Sequence, residues 1–295
     1  MRTVVSSLAD LVRRLAAAVA LCSSVAAGAD PVQVEDQGLR LNGALERLAQ
    51  WPSDPVLLVV HGTLSHNGSE IIRTLQQILA ERELVSLAIN LSLALDNRQG
   101  PYDCAIPHRH RHEDASGEIG RWLQWLEGQG VAEVVLVGHS RGGNQAAWFS
   151  RFARHPLVRG QVLLAPQRQF GATAGSPEAE LLAQAEQLPA EQLVPAEKFL
   201  YCSETQASAQ SVISYYAADE RKDTSVLLQA EDTLPTLLLL GTDDTVVAPA
   251  AYLDDSVKLS PRVSVQILDG ADHFFRDLFM DEVADYVVEF LAGLE

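Results

Sequence analysis

Short apolar runs alternate with amphipathic stretches along most of the chain, from residue 56 onward. The first run, Val56–Val60, is apolar at every position, which is typical of a strand that is covered on both faces. In the stretch 69–81, Ile and Leu residues recur at helical spacing. The same alternation predicts further strands and helices; the strands are at 84–93, 134–137, 161–165, 237–240 and 263–268, and the helices at 119–126, 142–154 and 281–294.

Strands that alternate with helices of this length predict an α/β fold. We expect a doubly wound, mostly parallel sheet with right-handed crossovers and helices on both faces. The segment 170–233 interrupts the alternation, because it is rich in Ala, Gln and Glu and has few long apolar runs. We interpret it as short helices that form a cap or lid on a single domain spanning residues 30–295. The alternative is a surface connection without a role in substrate choice.

The first 29 residues have the features of a secretory signal peptide. Arginines precede a short apolar run at 15–22, and the segment ends on Ala27-Gly28-Ala29. The run is shorter than the roughly 20 apolar residues that span a bilayer. We therefore expect cleavage after Ala29 and a secreted or periplasmic protein without a stable membrane span. An uncleaved N-terminal anchor is the alternative.

Composition and charge narrow the possible partners. With 47% hydrophobic and 21% charged residues, the chain has the composition of an ordinary globular protein. Its formal net charge of −17 repels polyanions and anionic membranes, which argues against nucleic acid as a partner. A small, neutral and apolar substrate remains compatible with this charge, and the oligomeric state stays open.

Two cysteines, Cys104 and Cys202, lie beyond the predicted signal peptide. In an oxidising compartment they could form a disulfide. They could equally be two separate buried thiols, because the sequence does not fix the distance between them. Both interpretations remain open at this point.

The strongest chemical signal lies at residues 134–143. A buried strand runs directly into a G-x-S-x-G motif centred on Ser140, and a helix is predicted from the second motif glycine onward. A serine on such a turn projects its hydroxyl clear of the backbone, while Gly138 and Gly142 remove side chains that would collide. The helix N-terminus adds a positive dipole beneath a developing oxyanion. Ser140 is therefore the predicted nucleophile.

With this motif the chain resembles the α/β-hydrolase family, and it is similar to the serine esterases and lipases of that family. The resemblance covers about residues 56–294 apart from the cap. It is specific to the fold and much less specific to a substrate. Four motifs carry it in the family's order: Val60-His61-Gly62-Thr63, the G-x-S-x-G motif, residues 241–244 and Asp272-His273.

The resemblance implies two partners for Ser140. A serine hydroxyl becomes a good nucleophile when a base accepts its proton, and the family places that base after the last strand, where His273 stands. The family places the orienting carboxylate after the strand at 237–240. There the G-x-x-D spacing selects Asp244 over Asp243, which is then a turn residue or helix cap.

The resemblance also implies an oxyanion hole that two backbone amides form. One N–H belongs to Arg141, directly after the nucleophile, and the other belongs to Thr63 in the loop after the first motif strand. Gly62 allows this loop to approach closely, and His61 is expected to be structural. The implied reaction needs no cofactor and cleaves a small ester, or less favourably a thioester or amide, through an acyl-serine intermediate.

A histidine cluster supports a rival hypothesis. If the chain is extended there, His108, His110 and His112 share one face and could hold a zinc or copper ion, whereas a helix beginning at His112 would break that geometry. The three histidines could instead pin a loop through hydrogen bonds or line the mouth of a pocket. The rival is a non-catalytic, hydrolase-like protein that binds a ligand or metal through this loop.

Overall fold

The computed structural model of the chain describes residues 29–168, 171–254 and 257–294, so the predicted signal peptide lies outside the described residues. The strands are β1 (Asp30–Asp36), β2 (Leu39–Glu46), β3 (Val56–Val60), β4 (Ser86–Asn90), β5 (Val134–His139), β6 (Val158–Leu164), β7 (Leu193–Phe199), β8 (Cys202–Ser208), β9 (Thr236–Gly241) and β10 (Val263–Leu268). The helices are α1 (Glu70–Glu81), α2 (Asp114–Gly128), α3 (Arg141–Phe152), α4 (Pro177–Ala185), α5 (Ala209–Tyr216), α6 (Thr224–Leu227), α7 (Ala250–Leu253) and α8 (Phe279–Ala292). In the described part of the chain, every helix is too short or too polar to cross a membrane.

Eight strands form one sheet in the order β1-β2-β4-β3-β5-β6-β9-β10. All neighbouring pairs from β4 to β10 are parallel, which confirms the predicted α/β fold with a mostly parallel sheet. The hairpin β1–β2 extends the sheet on the β4 side through antiparallel pairing. These two strands were not predicted, because their burial alternates with exposure and no continuous apolar run marks them.

Helices cover both faces of the sheet, as predicted. Successive side chains of a strand point to opposite faces. In β3, Leu58 belongs to a buried apolar cluster that contains Trp122 of α2, whereas Val59 belongs to a second cluster with Leu75 of α1 and Val283 of α8. This arrangement explains the unbroken apolar runs, since each side of a central strand lies against a helix.

The described part of the segment 170–233 has a small apolar core of its own, in which Leu181 of α4, Phe199 of β7 and Val212 of α5 are buried together. The prediction of short helices is incomplete here, because β7 and β8 form an antiparallel two-stranded sheet between α4 and α5. The sequence pattern does not predict this hairpin, because its buried positions alternate with polar or exposed ones and include small residues. We call residues 170–233 the cap.

A disulfide joins the loop before α2 to the cap. Cys104 and Cys202 are bonded, with their Cα atoms 5.3 Å apart, which settles the alternative that the sequence left open. Farther along the same loop, the backbone of His108 donates to Gln206 O at 2.8 Å and accepts from Ser208 N at 2.8 Å. The loop therefore pairs with the cap hairpin through both a covalent link and backbone hydrogen bonds.

Candidate active site

Ser140 occupies the turn between β5 and α3, with φ 55° and ψ −122°. This left-handed backbone conformation is costly for a residue with a side chain and is typically found where function requires it. The helix begins at Arg141, one residue earlier than predicted. The carbonyl of Ser140 accepts from the backbone N–H groups of Gly143 and Gln167, which helps to hold the turn.

Two glycines make this turn possible through close backbone contacts. A Cβ atom at Gly138 would lie 2.4 Å from the carbonyl oxygen of Gly142. A Cβ atom at Gly142 would lie 2.4 Å from the carbonyl oxygens of Val60 and His61, at the end of β3. A larger residue at Gly138 would therefore collide with the start of the helix that follows the turn, and one at Gly142 would push the turn away from the end of β3.

The structure brings Ser140, His273 and Asp244 together although they are far apart in the chain. The Oγ atom of Ser140 lies 3.0 Å from Nε2 of His273, and Nδ1 of His273 lies 2.7 Å from Oδ2 of Asp244. All three residues are buried. An ionised carboxylate can only accept, so Nδ1 of His273 carries the proton and Nε2 is left to accept from the serine hydroxyl.

Asp244 is held in place by the backbone that follows it. Its Oδ1 atom accepts from the N–H groups of Val246 and Val247, both at 2.7 Å, which leaves Oδ2 for His273. The neighbouring Asp243 is exposed, and its backbone N–H donates to Ala271 O at 3.0 Å. The turn after β9 thus points the two adjacent carboxylates in different directions and places Asp244 against the imidazole.

His139 fixes the loop that carries His273. Its Nε2 lies 2.9 Å from the backbone oxygen of His273, to which it donates, and the two rings pack with their centroids 4.8 Å apart. Burial lowers the pKa of His139 to about 4, so its ring stays neutral near pH 7. Through these contacts His139 supports the loop of His273.

His61 orients the loop that contains Gly62 and Thr63. Its Nε2 accepts from Leu91 N at 3.2 Å and from Nη2 of Arg98 at 3.1 Å, so the proton lies on Nδ1, which donates to Gly62 O at 2.8 Å. Burial lowers the pKa of His61 to about 3 and keeps this tautomer neutral. In a planar trans peptide the N–H points opposite to the C=O, so Thr63 N–H faces away from His61.

A buried polar network, which the sequence did not predict, lies behind this loop. Arg98 donates from Nε to Leu91 O at 2.7 Å, and burial lowers its pKa to about 10. Glu118 of α2 accepts from the backbone and the hydroxyl of Ser92 at 2.7 and 2.6 Å, and burial raises the pKa of its carboxyl to about 7. The sequence gives no signal for this network, because Arg98 lies in a polar stretch, residues 96–99, where a charged residue is ordinary.

Two cavities meet at Ser140, which lines both. The first has a volume of about 550 Å³ and the second about 460 Å³. The walls of the first are largely apolar or aromatic and include Ile71, Val246, Phe274, Phe275 and Met280. The second contains more polar groups, and its walls include Arg141, Gln167, Arg168, Glu178 and Tyr216.

Tyr201 stands at the boundary of the two cavities. It lies at the turn of the cap hairpin, directly before the disulfide-bonded Cys202, and its side chain lines both cavities while the residue remains 66% exposed. The backbone N–H of the preceding Leu200 donates to the Tyr216 hydroxyl at 2.9 Å. The cap therefore supplies part of the wall around Ser140.

The histidine cluster lies between the cap and the body, where all three rings are buried. Nδ1 of His108 lies 3.0 Å from Nε2 of His110, and Nδ1 of His110 lies 2.8 Å from the Tyr215 hydroxyl. The backbone N–H of His112 donates to Ser214 Oγ at 2.8 Å. Among the described residues, no group of three or more His, Cys, Asp or Glu side chains is placed to hold a metal ion.

The arrangement around Ser140 is suited to acyl transfer. A hydroxyl, an imidazole that can accept its proton and a carboxylate that orients the imidazole lie in hydrogen-bonding sequence beside two cavities. The side chain of Arg141 donates from Nε to Thr63 Oγ1 at 2.9 Å, so the two predicted oxyanion-hole residues are in direct contact.

Comparison with known proteins agrees with the fold. A family model described as "Alpha/beta hydrolase family" matches residues 56–289. No curated protein matches the sequence.

Several solved structures are similar to the chain. An Est1E structure from Butyrivibrio proteoclasticus with bound ferulic acid is 17% identical, has a TM-score of 0.65 and aligns over 89% of this chain and 98% of its own. A monoacylglycerol lipase from Paleococcus ferrophilus is 18% identical, with a TM-score of 0.62 and coverage of 86% and 99%. The mouse alpha/beta hydrolase domain-containing protein 10 is 16% identical, with a TM-score of 0.59 and coverage of 90% and 100%. At these identities the likeness concerns the fold.

Proposed function

The chain belongs to the alpha/beta hydrolase family, and we propose that it is an exported serine hydrolase that cleaves carboxylic esters. The observation that carries this proposal is the pair of hydrogen bonds that joins Ser140 to His273 and His273 to Asp244. The strained backbone of Ser140 supports it as well, because strain of this kind is stored where a hydroxyl must be presented.

In the first step, His273 Nε2 accepts the hydroxyl proton of Ser140 while the serine oxygen attacks the ester carbonyl carbon. Asp244 stabilises the imidazolium that forms. The carbonyl oxygen becomes an oxyanion, which accepts hydrogen bonds from the backbone amides of Thr63 and Arg141. Each such donor contributes about 10²–10³ in rate.

In the second step, the tetrahedral intermediate collapses and the bond to the leaving oxygen breaks. His273 gives its proton to that oxygen, so the alcohol departs and the acyl group stays on Ser140. A water molecule then loses a proton to His273 and attacks the acyl carbon. Collapse of the second intermediate releases the carboxylic acid and returns the proton to Ser140 Oγ. The sequence of steps uses no cofactor.

The cavities support a substrate of modest size with an apolar portion. The cavity of about 550 Å³ offers aliphatic and aromatic walls beside Ser140, so it suits the apolar acyl or alcohol part of an ester. The fold likeness to an esterase with bound ferulic acid and to a monoacylglycerol lipase is consistent with an ester of this kind. A negatively charged protein surface does not oppose the approach of a neutral ester.

Export is supported by two independent features. The N-terminal residues have the order of a signal peptide, and the Cys104–Cys202 disulfide suits an oxidising compartment. The expected mature protein begins at Asp30 and is found outside the cytoplasm. Cell fractionation followed by mass spectrometry of the N-terminus tests this. An intact N-terminus in the cytoplasmic fraction would contradict export.

The enzymatic proposal is tested with p-nitrophenyl esters of graded acyl length, together with a thioester and an anilide. Ser140→Ala should abolish turnover and covalent labelling by a fluorophosphonate, because no other hydroxyl faces His273 at bonding distance among the described residues. Ser264→Ala, at an exposed position on β10, serves as the matched control and should keep both. Full activity of a folded Ser140→Ala protein would disprove the proposal.

A further inference from the structure

The side chain of Arg141 has no role in the mechanism given so far, although it lies beside the reacting serine. The residue is 9% exposed, and its side chain folds back toward the β3 loop, where Nε donates to Thr63 Oγ1 at 2.9 Å. Arg141 also lines the second cavity. Burying a guanidinium is expensive, so its contacts require an explanation.

On its other side, the guanidinium rests on an aromatic platform from the cap. The Cζ atom of Arg141 lies 4.9 Å from the ring centre of Tyr215, within the range of a cation–π contact. The Tyr215 hydroxyl lies 2.8 Å from Nδ1 of His110, and Nε2 of His110 lies 3.0 Å from Nδ1 of His108. A continuous set of contacts therefore runs from the buried histidines to the Thr63 loop.

We propose that the Arg141 side chain is a positioning residue for the oxyanion hole, which it stabilises by holding Thr63, and that Tyr215 and His110 hold Arg141 in turn. The inference rests on the proposed function, because it assigns a purpose to residues around the same nucleophile. Arg141 then acts twice. Its backbone amide is one oxyanion donor, and its side chain fixes the residue that supplies the other.

Thr63 lies between two anchors in this arrangement. His61 holds the carbonyl of the Gly62–Thr63 peptide, and Arg141 holds the Thr63 hydroxyl. The peptide carbonyl and the side chain are fixed from different directions, so the N–H between them has a defined orientation. Orientation matters here, because a displacement of about 1 Å at a reacting centre can cost on the order of 10²-fold in rate.

This role also accounts for the histidine cluster. His110 contacts both His108 and Tyr215, and all three residues are buried in or against the cap. Tyr215 belongs to α5, so a shift of the cap would move the platform beneath the guanidinium. The cluster thereby connects the position of the cap to the geometry of the oxyanion hole.

The decisive experiment is a double-mutant cycle on the full-length mature protein, measured with a p-nitrophenyl ester. Thr63→Val removes the hydroxyl acceptor at nearly constant shape, and Arg141→Met removes the donor while keeping an unbranched side chain. We expect each change to lower kcat by about tenfold to a hundredfold, with KM within about twofold, since the loss concerns the transition state. Because both changes remove the same hydrogen bond, the double variant should be no slower than about the slower single variant.

Losses that multiply in the double variant would overturn the inference, because the two side chains would then act independently. So would a Thr63→Val protein with an unchanged kcat. Thr63→Ser keeps the hydroxyl that Thr63→Val removes. Its kcat should recover at least about half of the fall seen in Thr63→Val, measured on a logarithmic scale. This rescue remains decisive even where Arg141→Met fails to fold, since the Thr63 variants alter only a half-buried side chain.

A second readout separates positioning from a general loss of structure. A trifluoromethyl ketone forms a tetrahedral adduct whose oxyanion occupies the hole, so its inhibition constant should rise in Thr63→Val by about the factor by which kcat falls. An unchanged inhibition constant would overturn the inference. An inactive wild-type protein, or an active Ser140→Ala variant, would disprove the proposed function and this inference with it. If the wild-type protein is active and Thr63→Val leaves kcat and the inhibition constant unchanged, only the inference is disproved and the proposed function stands.

Discussion

Two groups of histidines lie close to Ser140, and they differ in what surrounds each ring. The first group, at the carboxyl ends of the parallel strands, is His61, His139 and His273, and the second, between the body and the cap, is His108, His110 and His112. Burial is common to both groups and lowers the pKa of His139 and of His108 to about 4. Burial alone therefore does not separate a reactive histidine from a structural one.

The difference lies in the partners of the ring nitrogens. His273 has a carboxylate at Nδ1 and a hydroxyl at Nε2, and it lines a cavity that a substrate could enter. His108 and His110 contact each other, and His108 also stacks on Tyr102 whereas His110 contacts Tyr215. A histidine can act as a base when it has an orienting acid on one side and a reacting group on the other. Neither His108 nor His110 has an orienting acid on one side and a reacting group on the other. These two histidines are therefore suited to a structural role.

The largest expected effect is the loss of the His273 ring from the first group. Loss of the His110 ring from the second group is the comparison. His273→Gln should lower kcat for a p-nitrophenyl ester by about 10⁶-fold, because no base then takes the proton of Ser140. His110→Gln should lower kcat by about tenfold or less, since its ring acts through Tyr215. Steady-state kinetics on both variants, with circular dichroism as a folding control, measure the contrast. Equal losses would remove the distinction between the two groups.

The next effect concerns the acid beside His273. Asp244→Asn should lower kcat by about 10⁴-fold, because an amide that donates to Nδ1 would favour the wrong imidazole tautomer. The adjacent Asp243 is exposed and makes no contact with the ring among the described residues, so Asp243→Asn should stay within about twofold of wild type. The paired measurement uses kcat at one pH near neutrality. A larger loss in the Asp243 variant would mean that the carboxylate was misassigned.

The body of the fold could be predicted because its signals are local and strong. The central strands are buried on both faces and therefore read as continuous apolar runs, as in β3 and β5. The G-x-S-x-G motif places two glycines where the backbone is too crowded for a Cβ atom. The family's chain order then pointed to His273 and Asp244, which the structure brings into contact with each other.

The remaining features depend on contacts that no short stretch of sequence encodes. The strands β1 and β2 and the cap hairpin are half exposed, so their patterns are weak. The Arg98–Glu118 network and the contact between Arg141 and Tyr215 join residues from separate elements, and only the folded chain makes them neighbours. The pairing of Cys104 with Cys202 was undecided for the same reason, because it spans 98 residues.

A smaller effect is expected from the disulfide, which links the loop of the second histidine group to the cap. Replacing both Cys104 and Cys202 by Ala should lower stability by about 2–4 kcal/mol, because the unfolded chain gains freedom. At this chain length that corresponds to a fall in Tm of roughly 4–16 °C. Differential scanning calorimetry measures it, with Cys104→Ala in reducing buffer as the control for a free thiol. An unchanged Tm would mean that the link does not stabilise the cap.

The smallest expected effect is a pH dependence of stability that comes from the second group. The pKa of His108 is lowered by burial from 6.5 to about 4, so the unfolded state binds its proton first when the pH falls. The corresponding stability is present above pH 6.5 and is lost as the pH falls toward 4. Between pH 7.5 and pH 5, this one ring lowers the free energy of unfolding by up to about 2 kcal/mol.

His108→Gln removes that proton-binding group. When the pH is lowered from 7.5 to 5, the Tm of both proteins falls, and the fall should be roughly 4–8 °C smaller in the variant than in the wild type. Glu118 acts in the opposite direction, because burial raises the pKa of its carboxyl to about 7 and the folded state keeps its proton, but it is present in both proteins and cancels in the difference. His155→Gln, outside both groups, is the matched control and should keep the wild-type response. Identical falls in Tm for the His108 variant and the wild type would show that His108 does not stay neutral in the fold.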